Sequence, residues 1–144
     1  LRDRYSYFGM VSGGIGWGIA AAIGVQLAQP HRRVVAVIGD GSSMYSPQAL
    51  WTAAHLQLPI TFVILNNRGY RILKERLIAF HSDQRFIGMD FKDPPIDIAA
   101  LSTALGTPGK QINEPEEFIT YFSESLKSTG PTLLEVMVEP GPSN

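Results

Sequence analysis

Two short apolar runs with a helical stripe between them dominate the hydrophobic pattern of the chain. Residues 32–39 and 60–65 are rich in β-branched and aliphatic side chains on both faces, as expected of strands buried in a parallel sheet. Between them, residues 49–56 place alanine and leucine at helical spacing, and we expect Ser46 to cap this helix and Pro47 to begin it. The pattern predicts a strand–helix–strand unit.

The rest of the chain continues this alternation. A loop is expected at 86–95 and a last strand at 132–138, and further helices are expected at 15–28, at 70–80, from Asp97 to about 105, and at 114–126. On the helix at 70–80, Lys74 is expected to face solvent. The alternation predicts an α/β fold: a three-layer α/β/α sandwich with a mostly parallel central sheet, in a single domain spanning 1–144.

Composition narrows the classes of function. The 12 lysines and arginines against 13 aspartates and glutamates give a net charge of -1 without a dense basic stretch, so we expect no nucleic-acid partner. No apolar run is long enough to span a bilayer and cysteine is absent, so we expect a cytoplasmic protein that has no membrane partner. Trp51 and Phe62 lie in apolar patterns that predict core positions, while the three histidines are too scattered to suggest a metal site.

Polar clusters follow the first two predicted strands. One is Gly-Asp-Gly-Ser-Ser at 39–43, and the other is Asn-Asn-Arg-Gly-Tyr at 66–70. The residues between the clusters suffice for one loop, one helix and one strand. Both clusters are therefore expected at the carboxyl edge of the sheet, where open α/β sheets bind ligands.

The side chains at this edge suit a metal bound to phosphate. Asp40 offers a carboxylate, Asn67 an amide oxygen and Gly69 a backbone carbonyl, and these three donors would leave Mg²⁺ with positions for diphosphate oxygens and a water. Gly41 and Ser42 offer N–H groups and a hydroxyl to phosphate. The sequence thus predicts a metal–diphosphate site.

These two clusters resemble the thiamine diphosphate signature of the pyruvate decarboxylase and acetolactate synthase superfamily, and the resemblance runs over nearly the whole chain. It implies thiamine diphosphate and Mg²⁺ as cofactors, with Asp40, Asn67 and the carbonyl of Gly69 as the metal ligands. The resemblance places the diphosphate against Gly39, Gly41, Ser42, Ser43 and Tyr70.

The glycine-rich segment at 12–16 fits the same resemblance. In that superfamily the carbonyl at the position of Gly13 accepts a hydrogen bond from the aminopyrimidine of the cofactor. The bulky residue at the position of Ile15 holds the cofactor in a bent, V-shaped conformation. The resemblance therefore implies that both residues bind the cofactor.

Within the superfamily, the chain looks most similar to benzoylformate decarboxylases, on residues 36–42, 49–54, 62–64 and 130–136. Pyruvate and indolepyruvate decarboxylases carry a catalytic glutamate where this chain has Leu73. The resemblance implies a 2-oxo acid as substrate, with Ile72 and Leu73 bordering a candidate substrate pocket. An acetolactate-synthase-like carboligase of the same superfamily stays open as an alternative.

One catalytic group of the superfamily has no match in these 144 residues. The glutamate that protonates the cofactor pyrimidine lies on a separate pyrimidine-binding domain, usually of another subunit. The resemblance therefore implies that this chain is the C-terminal diphosphate-binding part of a longer homodimeric or homotetrameric enzyme. The isolated fragment is expected to be inactive.

Two hypotheses from other classes of function compete with the interpretation as a thiamine-diphosphate-binding domain. In a Rossmann NAD-binding unit, residues 7–11 would form a strand, residues 16–21 would satisfy a relaxed glycine motif, and Asp40 would bind a ribose. Trp17 suits such a turn poorly, and Asn66 and Asn67 would have no role. A cofactor-binding module without catalytic activity is the other alternative.

Overall fold

The computed structural model describes residues 3–10, 12–82 and 84–141. Four strands alternate with six helices in this part of the chain. In chain order the elements are α1 (Gly18–Ala28), β1 (Val34–Gly39), α2 (Asp40–Ser43), α3 (Ala49–His55), β2 (Ile60–Asn66), α4 (Arg71–His81), α5 (Ile98–Ala104), β3 (Gly109–Ile112), α6 (Pro115–Ser125) and β4 (Thr132–Met137).

All strand pairs in the sheet are parallel, in the order β1-β2-β4-β3. Gly39 at the end of β1 pairs with Leu65, and Asn66 at the end of β2 pairs with Met137 of β4. The polar clusters that follow β1 and β2 therefore begin side by side at the carboxyl edge of the sheet. The predicted α/β fold with a parallel central sheet is confirmed.

One hydrophobic core lies between the sheet and helices α1, α3 and α5. Ile19 and Leu50 project from α1 and α3 onto the alternate residues Phe62 and Ile64 of β2, all four of them fully buried. On the other face, α6 lies against β4 and β3, and the Thr61 hydroxyl hydrogen-bonds to that of Ser125. The core position predicted for Phe62 is confirmed.

Two side-chain predictions are wrong. Trp51 is 55% exposed and stacks on His55, because the stripe of α3 that faces the core is formed by Leu50 and Ala53. Lys74 is buried within α4, where its ammonium group lies 2.7 Å from the Asp90 carboxylate. A helical pattern shows which face is polar but not that a distant carboxylate will cover a lysine on it.

Several local predictions also need correction, including the helix start expected at Pro47, since α3 begins at Ala49. The cap expected at Ser46 is absent: Gln48 precedes α3, and the Ser46 hydroxyl instead donates to the carbonyl oxygen of Gly16 at 3.0 Å. Helix α1 begins at Gly18 rather than at residue 15, and Asp40 to Ser43 form a short helix of their own. Strand β3 was not expected, since Gly109–Ile112 has only one apolar side chain beyond glycine.

None of the helices in the described part of the chain has the length and hydropathy needed to span a bilayer.

Candidate functional site

Asp40 is the central residue of the carboxyl edge. Its side chain belongs to the first residue of α2, and the residue is only 2% exposed. One carboxylate oxygen accepts the Gly41 N–H at 2.9 Å, and the other accepts the Gly69 N–H at 3.0 Å. The bond to Gly69 joins the two polar clusters, as their positions in the sequence predicted.

The electrostatic environment of Asp40 favours a bound cation. Burial raises the pKa of this carboxyl, and hydrogen bonds from the backbone N–H groups of Gly41, Gly69 and Arg68 oppose the rise. None of the ion pairs among the described residues includes Asp40. A divalent ion at this position would stabilise the charged form that burial disfavours.

Asn67 supplies the observation that tests whether a metal fits. Its side-chain oxygen is buried and has no hydrogen-bond partner in the described structure. Buried amide oxygens are nearly always satisfied, and this one is available to bind a metal ion. Asn67 stands two residues before Gly69, whose N–H is bound by Asp40. A carboxylate, an amide oxygen and backbone carbonyls form a donor set that suits Mg²⁺.

Gly69 has to be glycine for steric reasons. A Cβ atom at this position would lie 2.4 Å from the carbonyl oxygen of Met89. The 66–70 loop is held against the segment at 89–91 by two backbone hydrogen bonds, Tyr70 N–H to Met89 and Phe91 N–H to Arg68, both of 2.9 Å. The segment at 89–91 therefore supports the loop that offers the candidate metal donors.

Tyr70 lies over the start of α2. A Cβ atom at Gly41 would meet the Tyr70 ring at 2.5 Å, so the two residues are in close contact. The ring also packs edge-on against Phe91, with ring centroids 4.9 Å apart. Burial raises the pKa of Tyr70, and the neighbouring Tyr45 and Asp40 raise it further. These contacts bring the predicted diphosphate-binding residues Gly41 and Tyr70 together.

The two serines of α2 differ in their surroundings. Ser42 accepts the N–H of Gly16 at 2.9 Å, whereas the fully buried Ser43 donates its hydroxyl to the Asp40 carbonyl at 2.7 Å. The glycine-rich segment is thereby held beside α2 at Gly16. Ser43 serves the internal hydrogen bonding of the short helix.

The other predicted site residues lie near this edge with solvent access. Gly13 has a φ of 72° and open space within 4 Å of the position that a Cβ atom would take, and Ile15 is 38% exposed. Ile72 and Leu73 occupy the first turn of α4 and are also exposed. All four are free to contact a ligand, and their predicted roles remain predictions.

Histidine and carboxylate clusters do not provide a second metal site. Among the described residues, no group of three or more histidine, cysteine, aspartate or glutamate side chains is placed to hold a metal ion. His31, His55 and His81 are all exposed. The candidate metal site therefore relies on one carboxylate with amide and backbone oxygens.

Sequence reasoning missed one buried acid behind this site. Glu135 of β4 is fully buried, and its carboxylate accepts hydrogen bonds from the Asn66 side chain and from the Ala99 N–H of α5. Its only signal in the sequence was an acidic residue inside an otherwise apolar strand. Such a residue requires buried partners, which sequence position does not identify.

The fold defines an α/β domain whose ligand edge lies at the ends of β1 and β2. Residues 2–136 match the family described as the thiamine pyrophosphate enzyme, C-terminal TPP binding domain. The chain belongs to this family.

Curated relatives include two kinds of enzyme. Over 136 residues the chain is 36% identical to benzoylformate decarboxylase of Pseudomonas aeruginosa, covering 94% of this chain and 25% of that protein. It is 33% identical over 127 residues to the acetolactate synthase isozyme 2 large subunit of Escherichia coli, covering 88% of this chain and 23% of that protein. The chain thus spans about a quarter of the length of these relatives.

Solved structures agree with this assignment. A thiamine diphosphate-dependent 4-hydroxybenzoylformate decarboxylase of Rhodococcus jostii superposes with a TM-score of 0.84 at 39% identity, over 90% of this chain and 24% of that one. Benzoylformate decarboxylase of Polynucleobacter necessarius gives a TM-score of 0.77 at 28% identity, over 89% of this chain and 24% of that one. The fold and the resemblance to this family are both confirmed.

Proposed function

We propose that this chain binds the diphosphate of thiamine diphosphate through Mg²⁺, as the C-terminal domain, 1–144, of a longer enzyme that decarboxylates a 2-oxo acid. The observation that carries the metal is the buried, unpartnered oxygen of Asn67, next to a loop that the buried Asp40 carboxylate holds. Family membership supports the cofactor.

The residues divide into three groups around the cofactor. Asp40, Asn67 and the carbonyl of Gly69 would hold Mg²⁺. Backbone groups at Gly39 and Gly41, the hydroxyl of Ser42, and Tyr70 would lie along the diphosphate, while Ser43 would support them through its bond to the Asp40 carbonyl. Gly13 and Ile15 would contact the pyrimidine half, on the segment that Ser42 and Ser46 hold through Gly16.

The reaction itself relies on the cofactor as well as the protein. When bound, thiamine diphosphate supplies the electron sink for loss of carbon dioxide. The residues of this chain would bind and orient it through the metal and the diphosphate. A glutamate on the pyrimidine-binding domain of another subunit would protonate the cofactor pyrimidine. The active enzyme would therefore be a homodimer or homotetramer.

Benzoylformate-type decarboxylation is favoured over the carboligase outcome. Two superposing structures and one curated relative bear decarboxylase names. Acetolactate synthases at 33% identity keep the carboligase as the second candidate. Product analysis separates the two, because a decarboxylase releases an aldehyde whereas a carboligase joins the intermediate to a second carbonyl compound.

The NAD-binding alternative loses its structural basis. Residues 7–10, where its first strand was expected, form no strand, while residue 11 lies outside the described residues. Activity measurements on the full-length protein test the alternative hypothesis of a cofactor-binding module without catalytic activity.

Calorimetric titration of the full-length protein tests the proposed function. We expect thiamine diphosphate to bind in the presence of Mg²⁺ and to lose most of its affinity when the metal is chelated. NAD serves as the comparison ligand. Metal-independent binding of NAD, without any response to thiamine diphosphate, would overturn the proposal.

A further inference from the structure

Glu135 is a buried carboxylate whose hydrogen bonds all reach backbone or side-chain donors from other elements. It lies on β4 next to Ile64 of β2, on the sheet face that α5 covers. One carboxylate oxygen accepts the Asn66 side-chain amide at 2.5 Å and the more distant Ile98 N–H at 3.5 Å, and the other accepts the Ala99 N–H at 3.0 Å. No lysine or arginine is paired with it among the described ion pairs.

Asn66 passes this constraint on to the 66–70 loop. Its Nδ2 group is bound to Glu135, which leaves Oδ1 as the acceptor turned toward the loop. That oxygen accepts the Arg68 N–H at 2.9 Å. An amide held at one end by a carboxylate has a fixed orientation, since the reversed orientation would put two acceptors together and two donors together.

Arg68 sits at the turn of the loop in a backbone conformation that needs support. Its φ is 62°, in the left-handed region that residues other than glycine seldom adopt. The residues on either side of it are Asn67, with its unpartnered oxygen, and Gly69, whose N–H binds Asp40. The bond from Arg68 to Asn66 therefore fixes the turn that separates the two candidate metal donors of the loop.

We propose that Glu135 is a positioning residue for the metal site: through the side chain of Asn66 it fixes the 66–70 loop, and so holds Asn67 and Gly69 in place for the cation. This inference rests on the proposed function for the role of the metal. Under this proposal the two adjacent asparagines have different roles: Asn66 supports the loop, and Asn67 faces the ion.

Hydrogen-bond chemistry explains why glutamate rather than glutamine suits this position. Both carboxylate oxygens accept from N–H donors, Asn66 and Ala99. Glutamine has one acceptor oxygen, so Glu135→Gln turns one of these contacts into a donor facing a donor. The substitution keeps size and shape, and it removes one acceptor together with the carboxylate charge.

A second substitution can restore the pattern of acceptors. Asn66→Asp in the Glu135→Gln background gives the introduced glutamine amide an acceptor, and it still offers an oxygen to the Arg68 N–H. The glutamine oxygen then accepts from Ala99. Asn66→Asp alone instead places two carboxylates against each other. The double variant has the same total charge as wild type, moved from residue 135 to residue 66, whereas Asn66→Asp alone has one more negative charge. Loop exchange in metal-free protein therefore compares the double variant with Asn66→Asp, and its Mg²⁺ midpoint is compared with wild type and Glu135→Gln.

The experiment measures two quantities for the full-length wild type, both single variants and the double variant. One is the Mg²⁺ concentration that gives half-maximal binding of thiamine diphosphate. The other is hydrogen exchange at residues 66–70 in metal-free protein, which reports loop order without cofactor or turnover. Thr61→Val is the matched control, because it removes a buried hydrogen bond to Ser125 at the other end of β2.

We expect Glu135→Gln to raise the half-maximal Mg²⁺ concentration about tenfold or more and to speed exchange in the loop, as outer-shell substitutions in metal sites do. The double variant should exchange more slowly than Asn66→Asp, and its Mg²⁺ midpoint should return toward wild type from that of Glu135→Gln. Thr61→Val should lower thermal stability without moving the Mg²⁺ midpoint.

Three results would overturn the inference. The first is a folded Glu135→Gln protein with the Mg²⁺ midpoint and loop exchange of wild type. The second is a double variant whose loop exchanges as fast as that of Asn66→Asp, which decides the matter even where Glu135→Gln alone does not fold. The third is an equal midpoint shift from Thr61→Val. If the wild-type protein shows no Mg²⁺ dependence, the proposed function fails. The hydrogen exchange of the loop then tests the positioning role by itself, and equal exchange in wild type and Glu135→Gln would overturn that role.

Discussion

The last residue of β2, Asn66, and the next residue, Asn67, have different surroundings. Asn66 uses both ends of its amide within the protein, toward Glu135 and Arg68. Asn67 leaves its oxygen buried and unpartnered. A buried polar atom without a partner costs free energy, and a metal ion bound to this oxygen would remove that cost.

Asp40→Asn tests the candidate cation ligand at the residue scale. The change removes the negative charge and replaces one acceptor by a donor that faces the N–H of Gly41 or Gly69. We expect a stability loss of about 1–3 kcal/mol. The Mg²⁺-dependent affinity for thiamine diphosphate should fall further than the roughly 10- to 100-fold typical of outer-shell changes. Titration calorimetry and circular dichroism check this, and unchanged affinity would remove Asp40 from the site.

Gly69→Ala tests the bracing of the metal loop. The added methyl group would meet the Met89 carbonyl oxygen at 2.4 Å, so loop or segment must shift at a cost of about 1–3 kcal/mol. Gly24→Ala is the control, because nothing lies within 4 Å of its Cβ position in α1. It should stabilise the protein by about 0.5–1 kcal/mol. Thermal melts of both variants are the measurement, and equal effects would argue against the bracing.

Ile15→Ala tests the role that the family resemblance gives to this residue. Since Ile15 is 38% exposed, the stability change should be about 0.5 kcal/mol or less. We expect thiamine diphosphate to bind with nearly wild-type affinity while kcat falls about tenfold or more, because only the orientation of the bound cofactor suffers. A kcat equal to that of wild type would exclude this role.

Among the described helices, α6 has the N-terminus whose backbone N–H groups are most fully satisfied by side chains. Glu114 and Glu117 form a capping box, and Pro115 occupies the first turn. The Glu117 side chain accepts the N–H groups of Asn113 and Glu114 at 3.1 and 3.4 Å. These hydrogen bonds lower the pKa of Glu117.

Glu117→Ala should therefore destabilise the protein in a pH-dependent manner. A carboxyl with a lowered pKa in the folded state contributes stability above its unfolded pKa, and this contribution is lost as the pH falls through the folded value. We expect the difference in melting temperature between wild type and variant to be full at pH 7 and to shrink below about pH 4. A difference that does not change with pH would show that the carboxylate charge has no part in the cap.

Elements with strong apolar patterns were predictable from the sequence. Strands β1, β2 and β4 and the helix that Asp97 caps lie where the pattern indicated, and the Asp97 side chain accepts the Ala100 N–H as expected. Strand β3 was missed because Lys110 and Gln111 interrupt its apolar character at the edge of the sheet. Edge strands carry polar residues that weaken their sequence signal.

The candidate site was only partly predictable, for a physical reason. Asp40 and Gly69 come together because parallel strands end on one edge, which follows from element order alone. Glu135 reaches Asn66 across neighbouring strands, and Lys74 reaches Asp90 across an irregular segment. Such contacts depend on tertiary packing, which hydrophobic periodicity does not encode.

At the scale of the whole molecule, this chain spans about a quarter of the length of its curated relatives. We predict that the isolated chain, checked for folding by circular dichroism, does not decarboxylate 2-oxo acids, because the glutamate that would protonate the cofactor pyrimidine is expected on a separate domain. The full-length protein should be active under the same conditions. Turnover by the isolated chain would contradict the shared-site arrangement.

The position of the metal is the most direct test of the proposed site. The measurement is anomalous diffraction from crystals of the full-length protein grown with thiamine diphosphate and Mn²⁺ in place of Mg²⁺. We expect one strong peak within coordination distance of the Asp40 carboxylate, the Asn67 side-chain oxygen and the Gly69 carbonyl. A peak away from these atoms, or bound cofactor without a metal peak at this edge, would contradict the proposal.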